Sequence, residues 1–367
     1  MFEFPKSALV LAVAVAATAF GVGGCSENSG ARPQAAATAT PTGAHGPYAL
    51  VKEFHIGGEG RWDYVVADPD SKLLYVSRQT HTQVVRADSG EVVADLKDTP
   101  GVHGVALVPE LSRGFTSNGK GNSVTIFNLK TNAVLGTSKT GENPDAILYD
   151  PASKKLFTFN GKSQDATVLD PAAEPGAAAV ATIPLGDKPE FAQADGKGHV
   201  YVNLEGKSSV VEIDTNAMKV ANTWKIEGGD GPSGMAIDVA HHRLFCGCDN
   251  EVMAVVDTQT GKTLATVPIG KGVDACGFDP GTGEAFASCG DGTLTVIRET
   301  SPGKFEPVQT VKTRPSARTM TLDPTTHTIY LPASELEELK PGEKRPSPKP
   351  GSFMIVVVAP APTAGTK

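Results

Sequence analysis

The 367-residue chain lacks most of the local signals that announce a reaction. It contains no G-x-S-x-G, no H-E-x-x-H, no P-loop and no strand, Gly-rich turn and helix of the dinucleotide-binding kind. An elbow-borne serine, a helical zinc site and a nucleotide cradle are thereby unsupported. No C-x-x-C-H is present, which argues against covalent haem attachment. Basic residues are outnumbered, 33 Lys and Arg against 41 Asp and Glu, and the net charge of -8 gives no global pull toward nucleic acid or anionic lipid. No run of like charge occurs, and past the N-terminus no apolar run is long enough to cross a bilayer. Cysteine is scarce: beyond Cys25 only Cys246, Cys248, Cys276 and Cys289 remain. A single residue separates the first two, which is not the spacing of a zinc site. The four read as small buried core residues in preference to one disulfide, although Cys276 and Cys289 fall on neighbouring strands of the repeat described below.

Residues 1–25 read as a targeting segment. Lys6 supplies a positive start, Ala8 to Phe20 an apolar stretch of the length of a signal core, and Val22-Gly23-Gly24-Cys25 resembles a bacterial lipobox. Lipidation at Cys25 is preferred to an ordinary cleaved signal because small residues lead into the Cys and a tether follows. Residues 26–47 are mostly Ala, Thr, Pro and Gly, with too little apolar surface to offset the entropy of ordering. The chain is thus expected to be exported, as a periplasmic or outer-membrane lipoprotein whose membrane partner is reached through its N-terminal lipid anchor. Ser26 after the Cys leans toward the outer membrane.

What is there, in abundance, is a repeat. Asp68, Val108, Asp150, Asp195, Asp238, Asp279 and Asp323 occupy one position of it, spaced by 40, 42, 45, 43, 41 and 44 residues. Each period carries β-patterned runs broken by Asp-Pro or Asp-Gly turns and by turns such as Asp88-Ser-Gly90, Asp214-Thr-Asn216 and Asp257-Thr-Gln-Thr-Gly261, and a second strand with an aromatic at a fixed place: Tyr75, Phe115, Phe157, Tyr201, Phe245, Phe286 and Tyr330. A period of about 40 to 45 residues with four strands is that of propeller blades, which bury their faces only by stacking on neighbours. The expected fold is all-β, a seven-bladed β-propeller with four antiparallel strands per blade over residues 48–360, followed by a tail at 361–367. The last repeat has no fourth strand, and the run Tyr48 to Ile56 has no partner, so the N-terminal strand is expected to close the last blade.

The phrases LLYVS (73–77), TIPLGDKPEFAQADGKGHVYV (182–202), VVEIDTNAMKV (210–220) and TVPIGKGVDACGFDPGTGEAFAS (266–288) resemble the YVTN-repeat, or YncE-like, family of bacterial exported propellers. The resemblance covers roughly residues 48–360. It implies the propeller fold, and relatives that look like amine-dehydrogenase heavy chains, cytochrome d1 domains and lactonases. The chain departs from the repeat at residues 333–352, an insertion of mixed charge with four prolines in ELEELKPGEKRPSPKPG; a functional loop and a solvated surface loop both fit it.

Five residues before each repeat anchor stand Asp63, His103, Asp145, Glu190, Ser233, Asp274 and Arg318. All are polar in strands otherwise small or apolar, and in a propeller these positions line one mouth of the central channel. Loops after the second strands open on that face and would add Arg78, His81, Asn118, Asn160 and the insertion around Glu335. A wet channel needs polar walls, but that requirement is met as well by Ser, Thr and Asn as by ionised groups. Four acids, a His and an Arg suggest a ligand-binding or metal site. Trp62 could stack on a ligand ring or simply pack. His241-His242 lies in a turn away from the ring. The leading expectation is a binding or scaffold module for a small ligand or protein partner. The alternative is a lactonase-like hydrolase, with a divalent cation as cofactor held by some of Asp63, His103, Asp145, Glu190 and Asp274. Single-stranded DNA binding ranks last, since only Arg61, Arg78, Arg318 and the insertion lysines could serve it.

Overall fold

The computed structural model describes residues 47–340, 342 and 345–361. The targeting segment, Cys25, almost all of the tether and residues 362–367 lie outside the described residues. Among the described residues no helix is long and apolar enough to cross a membrane.

Seven four-stranded antiparallel sheets account for all the named strands. In six blades the strands follow chain order from the inside out. The third blade, for instance, runs Pro144–Asp150, Lys155–Asn160, Asp165–Leu169 and Ala181–Pro184. The seventh takes its inner three strands from Thr321–Asp323, Thr328–Ala333 and Met354–Pro360, and its outermost from Tyr48–His55, paired antiparallel from Tyr48 opposite Pro360 to His55 opposite Met354. The ring is closed by the N-terminal strand.

The recurring residues explain the recurring geometry. The anchor Asp makes the turn between the first two strands. Asp150 accepts from the amides of Ala152 and Ser153, Asp238 from those of Ala240 and His241, and Asp323 from that of Thr325. A short side-chain acceptor that satisfies the next two or three amides is what such a turn needs. Val108 cannot do this, and there the chain instead makes a single 3-10 turn, Pro109–Leu111. The turn between the third and fourth strands uses the same device, as Asp257 does with Gln259 and Thr260. The second-strand aromatics are all buried, between 0% and 6% exposed, and serve as packing. They sit in clusters that span neighbouring blades: Phe157 and Phe159 of the third lie with Val200, Val211 and Ile213 of the fourth. Each such ring contributes roughly 2–3 kcal/mol of burial.

All four described cysteines are free and buried, their thiols pushed up by burial. Cys276 pairs in register with Ala287, and Cys289 with Val273.

Candidate functional site

The first strands of blades two to six each carry a register shift near their start. It falls between Val102 and Val105, Pro144 and Ile147, Pro189 and Ala192, Pro232 and Met235, and Val273 and Ala275. His103, Asp145, Glu190, Ser233 and Asp274 lie inside those shifts. A bulge re-aims a side chain out of the alternation of its strand, and here it does so at one rim of the ring. Asp63 and Arg318 stand just before the inner strands of blades one and seven. Second-strand polar residues seize the carbonyls that the irregularity frees. Ser117 donates to the carbonyl of Asp145, Asn203 to those of Ser233 and Gly234 (both 3.0 Å), and Ser288 to that of Arg318 (2.7 Å). Each of these bonds crosses to the next blade.

The ring residues are half-buried and divide into two linked groups. His103 Nδ1 lies 2.7 Å from Asp63 Oδ2 and 3.8 Å from Asp145 Oδ1. On the other side Ser233 Oγ donates to Asp274 Oδ1 at 3.1 Å, and Arg318 pairs with the other oxygen of Asp274. Glu190 is tied to Lys188, which also holds Glu205. Burial opposes a charge on His103, but the Asp63 hydrogen bond and the fields of Asp145, Asp63 and Glu190 overrun it and hold the imidazole up at about 9. Burial raises the Asp145 carboxyl, with Asp63 adding to it against the opposing pull of His103. Burial and then Asp145 push Glu190 up to about 7 in spite of Lys188. Burial lowers Arg318, which the charge of Asp63 resists and that of Arg345 reinforces.

One residue deeper, Tyr64 of the first blade stacks on Phe191 of the fourth, ring centres 4.3 Å apart at 22°. Rings from blades so far apart around the circle meet only across the axis, so the pair forms a floor. Below it a cavity of about 280 Å³ is lined by Ala146, Met320 and Cys276 among others. The Tyr64 hydroxyl is enclosed and finds no hydrogen-bond partner among the described residues. Burial, then Asp145 and Glu190, raise it well above its ordinary value. The mouth is therefore a blind cup with a polar wall and an aromatic floor.

Four expected members, Arg78, Asn118, Asn160 and His81, are not in it. Arg78 is fully buried, donates to the carbonyls of Gly57 and Glu59 and to Gln83, and lies 3.7 Å over the Phe353 ring. Asn118 bonds Thr116 and Thr125, and Asn160 bonds Asp165 and Thr167, all within their own blades. The corresponding residues of later blades are Leu204, Cys248 and Cys289, also buried. That apolar company was the signal that this position faces the blade interior. His81 sits 3.9 Å from Asp95, apart from the cup. Trp62 is buried outside the cup, its ring centre 5.9 Å from that of Phe353. His241 pairs with Asp238 at 2.6 Å in its turn. Tyr64, Phe191 and Lys188 went unread in the sequence because only a repeat-by-repeat alignment one residue past the polar position would have isolated the two aromatics.

The insertion folds onto this same face. Leu336 and Pro348 form a bridge, Lys349 N donates to Glu335 O at 2.8 Å, and Arg61 Nη1 donates to the carbonyl of Pro346 at 3.1 Å. Leu336 packs on the cluster of Trp62 and Phe353.

Against solved structures, the chain is similar to the crystal structure of RRP9 WD40 repeats, with a TM-score of 0.71 over 84% of this chain and 97% of that one at 9% identity. At that identity the likeness is one of fold: a WD40-like seven-bladed propeller. No family model matches the chain. No curated protein matches it. The YVTN-repeat resemblance therefore rests on its sequence motifs.

Proposed function

We propose that the protein is an exported, membrane-tethered binding module that holds a small ligand in the cup at the mouth of its propeller. The supporting observation is the cup. Ionisable groups from six blades converge, half-buried, over a stacked Tyr64–Phe191 floor, where plain channel lining would need only neutral polar groups. Native mass spectrometry of protein purified without denaturation tests this. A bound small molecule that disappears in Asp145→Ala and Arg318→Ala, both still folded, supports it; an identical unliganded mass in all three overturns it. The tether reading comes from residues 1–47, and Cys25→Ser is expected to abolish fatty-acid labelling and move the protein to the soluble fraction.

A second reading has its own observation. Asp63, His103 and Asp145 each offer a ligand atom, all within 4.8 Å of one another, and the unpartnered Tyr64 hydroxyl lies in their field. One nitrogen and two carboxylate oxygens suit a divalent first-row cation. Such a cation would supply Lewis acidity for a lactonase-like hydrolysis, with Glu190 beside it as a proton acceptor. Elemental analysis of chelator-free protein checks it: a stoichiometric metal lost in Asp145→Ala is the expected result, and its absence removes the hydrolase reading.

A further inference from the structure

A second pocket, of about 690 Å³, opens at the rim of the cup between the insertion and the inner edges of blades seven and one. Arg61, Arg318 and Arg345 line it, with Trp62, Leu336 and Pro346 as its apolar walls; no carboxylate is among its lining residues. We propose that this pocket binds a small organic anion, an acidic group carried on a flat apolar body. The proposal deepens the cup reading, because Arg318 belongs to both sites.

Three guanidiniums gathered around one space repel one another, and in a chain of net charge -8 they are not there through a general excess of base. Their partners leave capacity over. Arg318 spends one arm on Asp274, Arg61 uses one nitrogen on the Pro346 carbonyl, and Arg345 makes no ion pair among the described residues. Guanidinium groups bind carboxylate or phosphate through paired donors, which gives the acidic end of the ligand its place. The indole of Trp62 and the side chains of Leu336 and Pro346 give the remainder of the ligand an apolar surface, and the volume lies within the range of small-molecule sites. Two of the three cations, Arg61 and Arg345, are exposed, and three of the lining residues, Leu336, Arg345 and Pro346, come from the insertion.

The test is calorimetric titration of the full-length protein with 1-naphthoate, 1-naphthyl phosphate, the uncharged 1-naphthamide and inorganic phosphate. Expected is saturable binding of at least one aryl anion, none by the amide, and a loss of about tenfold or more in each of Arg61→Gln and Arg345→Gln, the size of one charge-assisted hydrogen bond. Relative affinity for the two aryl anions tells a carboxylate ligand from a phosphorylated one. No saturable binding by either aryl anion, or equal binding of the amide, overturns the proposal. Binding that survives Arg345→Gln but is lost in Asp145→Ala also overturns it, and would place the ligand in the cup alone. Both Arg→Gln variants change exposed side chains, so a retained melting midpoint shows that they fold.

Discussion

His103 sits between two carboxylates because a bulge turned it there, and its protonation is coupled to the fold. Its ordinary value of 6.5 is carried up to about 9 in the folded chain. A group whose folded value is raised adds stability that is complete below the unfolded value and disappears as pH climbs through the folded one. Glu190, raised to about 7, works in the same direction, since its folded form also holds its proton longer. The melting midpoint in the presence of chelator is therefore expected to fall from about pH 4.5 to 9, Glu190 carrying the part below about 7 and His103 the part above about 6.5, and His103→Gln to flatten the upper part. Parallel curves for the two proteins, followed by circular dichroism, would show that the ring does not carry the pH dependence. The same scale shows why Arg78 misled. A cation in a loop-proximal position reads as surface from sequence, yet its partners are Gly57 and Glu59 carbonyls brought in by a segment with no repeat counterpart. Distance in the chain hid the contacts that bury it.

At the scale of the strand, the device that builds the cup is the bulge, and it was only half legible. The polar position itself stands out once seven repeats are laid together, as do the turn-making Asp residues and the buried aromatics. The bulge does not, because it is set by how closely two first strands approach. Gly234 shows the constraint. A Cβ there would come 2.7 Å from the carbonyl carbon of Ala275 and 2.8 Å from its Cα, backbone atoms that cannot swing away. Gly234→Ala is expected to cost about 2–3 kcal/mol in denaturant unfolding, the range of an overpacked core. It should also separate Ser233 from Asp274 and so weaken whatever the cup holds. An unchanged midpoint would mean that the fifth and sixth blades have slack that the contact distances deny. The insertion is the complementary case. Its composition announced a departure from the repeat and nothing more, whereas its role as a pocket wall depends on Leu336 reaching Trp62 and Phe353, a contact no spacing rule could give.

For the whole molecule, everything at the rim depends on the circle staying shut, and one strand shuts it. Tyr48–His55 does more than complete the seventh sheet. The side chain of Gln309, in the outer strand of blade six, accepts from Tyr48 N at 2.9 Å and donates to Tyr48 O at 2.6 Å, and the Tyr48 ring meets Phe286 edge-on at 5.1 Å. At the other end Phe54 fills the space that Gly90 of blade one leaves open, for a Cβ there would lie 2.5 Å from it. Glu53 is paired to Arg314. The strand thus clasps three blades, and the proposed tether joins the fold at this strand, so any load from the membrane would fall on the closure first. Removing residues 48–55 should uncover the edge of Met354–Pro360 and the clusters under Tyr48 and Phe54, leaving an open edge prone to association. Expected is loss of cooperative unfolding, with partial rescue by the peptide Tyr48–His55 added in trans. Phe54→Ala should reproduce part of it at a cost of about 3–5 kcal/mol, the usual range for emptying such a site. Because the cup takes residues from blades on both sides of the seam, ligand bound there should in turn slow amide exchange in Tyr48–His55, which touches no part of it. A truncated chain that melts cooperatively near the full-length midpoint would show the ring closing without its clasp, and would uncouple the binding face from the strand that joins its ends.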